Sequence, residues 1–120
     1  MSVFLSLYLR VCDFGYCKLT PVDTAVIAIT SCESGDGHHF GTIKWDAVSA
    51  TNDTGAFQFN DRTWQWLTGR TDRAIDAPHS AQLAAFYKLW NDGYGHTHWS
   101  ASQPCWSQWL EIKDGRAVAK

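Results

Sequence analysis

The 120-residue chain lacks an excess of charge of either sign: 10 Lys and Arg stand against 12 Asp and Glu, a net of −2. A basic footprint of the kind that holds nucleic-acid phosphates is therefore missing. Long apolar runs are missing too, and nothing approaches the roughly 20 residues of a membrane-spanning helix. Proline is scarce, with three residues at 21, 78 and 104. Internal repeats and low-complexity tracts are absent, which excludes a fibrous or largely disordered chain. The length suits one domain. The start, Met1 to Leu9, is apolar but has no positive flank, and Arg10 interrupts it. It reads as an N-terminal segment, residues 1–20, rather than as an export signal, and the sequence leaves open whether that segment packs on the domain or leads in from a missing neighbour.

Tryptophan is abundant, with seven residues, which suits a large core, a sugar-stacking cleft, or both. Four cysteines, Cys12, Cys17, Cys32 and Cys105, allow three pairings. A local Cys12–Cys17 loop would leave Cys32 and Cys105 to staple an early helix to the C-terminal region. Zinc bound by the cysteines with His38, His39, His96 or His98 is the rival, on spacings that match no compact zinc module. Two disulfides in so small a chain suggest an oxidising compartment.

The patterning predicts an α+β domain, mostly helical, with one small β-hairpin or loop element. The first helix is expected over Pro21–Ser34, capped by Thr20, with Val22, Val26, Ile29 and Glu33 on one stripe and Gly35 as a left-handed stop. Residues 36–59 read as non-helical, with strand character at Phe40, Ile43, Trp45 and Val48 and again at Phe57 and Phe59. A turn-forming Thr51–Gly55 lies between them. Helices follow over Asp61–Thr68, capped by Asn60 and stopped by Gly69, and over Pro78–Asn91, with Leu83, Phe86, Tyr87 and Trp90 on one face and Gly93 ending it. A short helix begins at Pro104 and carries Trp106, Trp109 and Leu110, and residues 114–120 read as a tail.

Glu33 stands out because it ends an apolar stripe at a helix C-terminus. The dipole and the apolar surroundings both disfavour its ionised form and should raise its pKa. A carboxylic acid so poised can protonate a glycosidic oxygen. The competing reading is a surface Glu on a fraying helix end.

The strings Cys32-Glu33-Ser34-Gly35, Ala47-Val48-Ser49, Thr54-Gly55-Ala56-Phe57-Gln58-Phe59 and Thr63-Trp64, followed by Gly93-Tyr94-Gly95, Trp99 and Pro104-Cys105, resemble the lysozyme-like lytic transglycosylase superfamily. They look closest to its resuscitation-promoting-factor and phage lysozyme-like branch, over about residues 22–106. The resemblance implies a lysozyme-like catalytic domain over 21–113. It implies Glu33 as the acid/base that cleaves peptidoglycan between N-acetylmuramic acid and N-acetylglucosamine. It also implies Ser49, Thr54, Gln58, Trp64, Tyr94 and Trp99 as glycan-contacting residues, and a Cys32–Cys105 disulfide. The Cys12 and Cys17 pair has no counterpart in the pattern. No metal or organic cofactor is implied. The site of action would be extracellular or periplasmic, reached by secretion or by phage delivery, and the low charge suggests delivery by a larger assembly.

Two departures matter. Asp36–Lys44 lengthens the interval between Glu33 and Gln58, and Asn91-Asp92-Gly93-Tyr94 only loosely echoes the family's Tyr-Asn-Ala-Gly run. A second carboxylate, if used, would be Asp36, Asp46 or Asp53. Otherwise the substrate's own acetamido or C6 hydroxyl group completes the reaction. Trp45, Trp66 and Trp99 are sugar-platform candidates, while Trp90, Trp106 and Trp109 fit the core. The alternatives are a non-catalytic glycan-binding or structural module of the same fold, and a redox or zinc protein built on the cysteines.

Overall fold

The computed structural model describes residues 6–120 and opens on an antiparallel hairpin, β1 (Leu7–Asp13) and β2 (Tyr16–Val22). The two-residue connection, Phe14 and Gly15, takes φ of 51° and 80°, the left-handed pair that lets a tight turn follow the strand twist. Leu9 and Val11 turn inward while Tyr8 and Arg10 face out, the period-two pattern of a half-buried strand. Cys12 and Cys17 are disulfide-bonded across the hairpin. The leading segment is thus an ordered β element over its described part, and residues 1–5 lie outside the described residues.

The expected start of the first helix is corrected by this hairpin. Pro21 sits in β2 opposite Tyr8, and α1 spans Thr24–Glu33. Its cap is Asp23, whose carboxylate accepts a 3.2 Å hydrogen bond from the Val26 N–H, and not Thr20. Residues Ala25 to Ser31 of α1 are all buried, so this helix is central and apolar around most of its circumference. Gly35 is not a left-handed stop. Ser34 closes the helix in right-handed geometry, and Gly35 is needed because a Cβ there would land on the Thr42 carbonyl.

Residues 35–59 form no continuous strand. Their only β contacts are the isolated bridges Val48↔Thr54 and Thr54↔Phe59, so Phe40, Ile43 and Trp45 lie in irregular chain. The fully buried Gln82 takes over part of the pairing. Its side chain accepts from Ala56 N (2.9 Å) and donates to the carbonyls of Ala74 (2.9 Å) and Trp45 (3.3 Å). Backbone groups that a ladder would have satisfied are thereby paired.

Helix α2, Asp61–Thr68, begins with the Asn60 side chain accepting from Thr63 N at 2.7 Å and ends at left-handed Gly69, as its sequence predicts. Helix α3, His79–Trp90, buries Leu83, Phe86 and Trp90 and leaves Tyr87 partly exposed. It stops at Asn91, itself left-handed, two residues before the Gly93 expected to end it. Short 3₁₀ turns follow over Asn91–Gly93 and His96–Ser102.

Helix α4 is a single turn, Gln103–Trp106, so Trp109 falls beyond it and Leu110 opens a strand. Strand β3 (Leu110–Lys113) pairs with β4 (Arg116–Ala119), and the domain end expected after 113 falls in the turn between them. The final residues are packed on the body: a Cβ on Gly93 would collide with Ala117, and Arg116 holds Asp92 at 2.8 Å.

The core is aromatic. Phe57 stacks on Phe86 at 4.6 Å, and Phe86 also meets Trp90 and Trp99 at 5.3 and 5.2 Å. Trp64 and Trp106 are fully buried. Each such ring pair adds about 0.5–1.5 kcal/mol beyond the area it buries. The Cys32–Cys105 disulfide ties α1 to α4. The result is an α+β domain, mostly helical, with two small β-hairpins and two disulfides. No helix among the described residues is long and apolar enough to cross a membrane.

Candidate functional site

Glu33 is the last residue of α1 and is half-buried. Ser102, at the end of the 3₁₀ segment, donates from Oγ to Glu33 Oε1 at 2.7 Å. The Cys32–Cys105 disulfide, one residue to the N-terminal side of Glu33, holds α1 and the region after Ser102 together. Burial pushes the Glu33 carboxyl above its usual range, the Ser102 hydroxyl pulls against that, and the charge of Asp53 pushes it up further. The helix-end logic of the sequence and the burial act in the same direction.

The loop after Glu33 hangs from the end of α1. Gly41 N–H donates to Ser31 Oγ at 2.8 Å, Lys44 N–H to Ser34 Oγ at 3.1 Å, and Gly37 N–H to the Ser31 carbonyl at 2.9 Å. Asp36 organises the loop tip. It accepts from the N–H groups of His38 and His39, from Thr42 Oγ1 and from the His39 ring. These contacts hold its carboxyl far below the ordinary range, with the His39 ring the largest influence. Asp36 is thus ionised and occupied by its own loop.

A second polar loop carries Ser49 and Asp53. Thr51 Oγ1 donates to Asp53 Oδ2 at 2.9 Å, Asp53 N–H to Ser49 Oγ at 3.1 Å, and Ser49 N–H to the Asp53 carbonyl at 3.0 Å. Arg73 clamps the loop from outside through Asn52 Oδ1 at 2.9 Å, while its Nε holds Asp61 at 3.1 Å. Asn52 is left-handed at φ 64°, a conformation that Asn tolerates better than most residues. Gln58, also left-handed at φ 56°, turns its amide back onto the carbonyls of Gly55 (3.0 Å) and Ala47 (3.3 Å).

Glu33, Ser49, Asp53 and Gln58 are all half-buried at the ends of these segments. Gln58 also borders a small polar notch of about 100 Å³ with Asn60, Thr63 and His98, a lining that does not include Glu33.

Three expected glycan contacts are corrected by burial. Thr54 is fully buried, and its hydroxyl accepts from Ile75 N–H. Trp64 is fully buried and reaches only Asp72 with its indole N–H. Trp99 is 5% exposed, spends its N–H on the Phe57 carbonyl, and belongs to the aromatic core. Tyr94 is 56% exposed but stands beside Arg116 of β4, whose guanidinium lies 5.9 Å from its ring. Among the platform candidates, Trp66 is 76% exposed on α2, and Trp45 stacks on His79 at 4.1 Å. Trp90 and Trp106 are buried as expected, while Trp109 is half-buried against Phe40.

All four cysteines are in disulfides, which removes them as zinc ligands or free redox thiols. Among the described residues, no three His, Cys, Asp or Glu side chains cluster as a metal site. Ser102 is the one partner of Glu33 that the sequence did not expose. It lies in a Ser-rich stretch with no motif of its own.

Comparison with known proteins returned no match: no family model, no curated protein and no solved structure matches the chain.

Proposed function

We propose that the protein cleaves the glycan strand of bacterial peptidoglycan, with Glu33 as the general acid and then the general base. The observation that carries the reading is a half-buried carboxyl at a helix end whose protonated form is favoured by burial and by a neighbouring negative charge. Glu33 would pass its proton to the glycosidic oxygen as the C–O bond breaks. It would recover a proton from an attacking water, or from the sugar's C6 hydroxyl, as that oxygen bonds to the anomeric carbon. The resemblance of the Glu33, Ser49 and Gln58 strings to lysozyme-like transglycosylases supports the same reading. Two disulfides fit work in an oxidising space outside the cytoplasm.

A non-catalytic glycan-binding module is the second reading. It is favoured by the burial of Thr54, Trp64 and Trp99, which removes half of the expected glycan contacts from a cleft.

Dye release from labelled cell walls distinguishes the two. Wild type releases dye and Glu33→Gln is slower by about 10²-fold or more, with wall binding retained. Wall binding without release by either form would establish the binding module.

A further inference from the structure

The N-terminal hairpin is left unexplained by the Glu33 site. Its Cys12–Cys17 brace has no counterpart in the glycan-cleaving pattern. One flank of β1 also borders a groove of about 530 Å³, lined on the other side by Ile27, Ile43, Trp45 and His79. That volume is of the size that binds small ligands.

The register of the hairpin determines which backbone groups face outward. Cys12 and Cys17 are paired with their Cα atoms 4.0 Å apart, the close spacing of a non-hydrogen-bonded pair. The pairs two and four residues along, Arg10↔Leu19 and Tyr8↔Pro21, share that character. Pro21, which has no N–H, fits such a position. The N–H and C=O groups of Tyr8, Arg10 and Cys12 therefore point away from β2, along the free edge of β1. The Cys12 N–H is satisfied by His79 Nδ1 at 3.0 Å. Those of Tyr8 and Arg10 have no backbone partner among the described residues.

The side chains that line the groove, from β1, from Leu19 of β2 and from the body, are apolar and cationic. Tyr8 is 54% exposed and Leu19 69% exposed. Trp45 is held as a flat wall by its stack on His79, the two ring planes within 5° of parallel. Arg10 forms no ion pair among the described residues, and no Asp or Glu lines the groove. An open strand edge recognises extended main chain, the neighbouring pockets select apolar side chains, and an unpaired guanidinium selects a carboxylate.

We infer that the free edge of β1 and its groove bind an extended peptide that carries apolar side chains and a carboxylate, adding it as a third strand. The disulfide keeps the hairpin rigid, so the edge is preformed and little ordering accompanies binding. This site is separate from Glu33 and does not depend on the glycan reading.

The test uses the full chain, ¹⁵N-labelled, titrated with acetyl-Ala-Val-Glu-Val-Ala-amide and with its Gln counterpart. Saturable shifts at the Tyr8 and Arg10 amides and at the Trp45 indole are expected, with the Glu peptide about tenfold tighter. Methylating the peptide's alternate amide nitrogens should abolish binding in one of the two registers. Arg10→Gln, an exposed substitution, should erase the preference for Glu while leaving the spectrum folded. The inference is overturned by the absence of saturable shifts at millimolar peptide, by shifts confined to other residues, or by equal affinity for the two peptides. If the same amides shift with protein concentration alone, the edge belongs to a second copy of the chain, and the inference is likewise overturned.

Discussion

Ser102 Oγ donates a 2.7 Å hydrogen bond to Glu33 Oε1, joining two residues 69 apart in the sequence at the end of the most buried helix. This bond favours the ionised carboxylate, while burial and Asp53 favour the protonated form. The balance among the three sets the pH at which Glu33 holds its proton.

That balance predicts opposite shifts for two variants. Ser102→Ala removes the hydroxyl donor and raises the Glu33 titration midpoint. Asp53→Asn removes the neighbouring charge and lowers it. Carboxyl ¹³C titration by NMR reads both. Shifts of the same sign in the two variants, or none in either, would contradict the arrangement.

Glu33 also links stability to pH. A carboxyl whose pKa is raised on folding binds its proton more tightly in the native state than in the unfolded chain. Its contribution is therefore fully favourable at low pH and is lost as pH rises from the unfolded value through the native one. Glu33→Gln carries no charge to desolvate. The variant is expected to gain melting temperature relative to wild type between pH 4 and pH 7. Thermal unfolding across that range checks the sign, and a gap that narrows with rising pH would contradict it.

The buried amide of Gln82 holds irregular chain in place. Gln82→Met keeps the volume but leaves the Ala56 N–H and the Trp45 carbonyl without their partner, while the Ala74 carbonyl keeps the Ala77 N–H. Each orphaned buried group costs about 1–3 kcal/mol, so the two together predict a loss of roughly 2–6 kcal/mol in denaturant unfolding. A loss below about 1 kcal/mol would show that this amide is not what pins residues 45–56.

The two disulfides should contribute unequally. Cys32–Cys105 closes a separation of 73 residues and Cys12–Cys17 one of five. On loop entropy the first stabilises by about 4 kcal/mol and the second by about 2 kcal/mol. Replacing each pair by Ser and comparing the urea midpoints measures the order. Removing the short bridge should leave the Glu33 titration unchanged, because the hairpin lies outside that site.

The parts legible in the sequence were those governed by local rules. Asn60 and Gly69 bracket α2 because capping and left-handed termination act within a turn of the chain. The environment of Glu33 is legible because it ends an apolar helix, a local feature, although Val22 of the expected stripe lies in β2 and the helix is buried around most of its circumference. The N-terminal hairpin does not follow from the charge and export character of Leu7–Val11, although the alternation of that segment is that of a strand. Pro21 suits a helix start by its fixed φ, yet it occupies a strand position that needs no N–H. The apolar residues of 40–48 suggest a strand, but its main chain is held by the side chains of Ser31, Ser34 and Gln82, which no periodicity reveals. Trp64 and Trp99 carry the residue type of a sugar platform yet fill the core, since a lone aromatic does not declare which side it faces. Ser102 became a partner of Glu33 only through the folding of α4 against α1.

The most direct test of the central claim is mass spectrometry of the products from purified peptidoglycan, with wild type beside Glu33→Gln. The account predicts muropeptides severed at the glycosidic bond with wild type and none with the variant. Intact glycan strands after exposure to folded wild-type protein, or equal release by both forms, would contradict it.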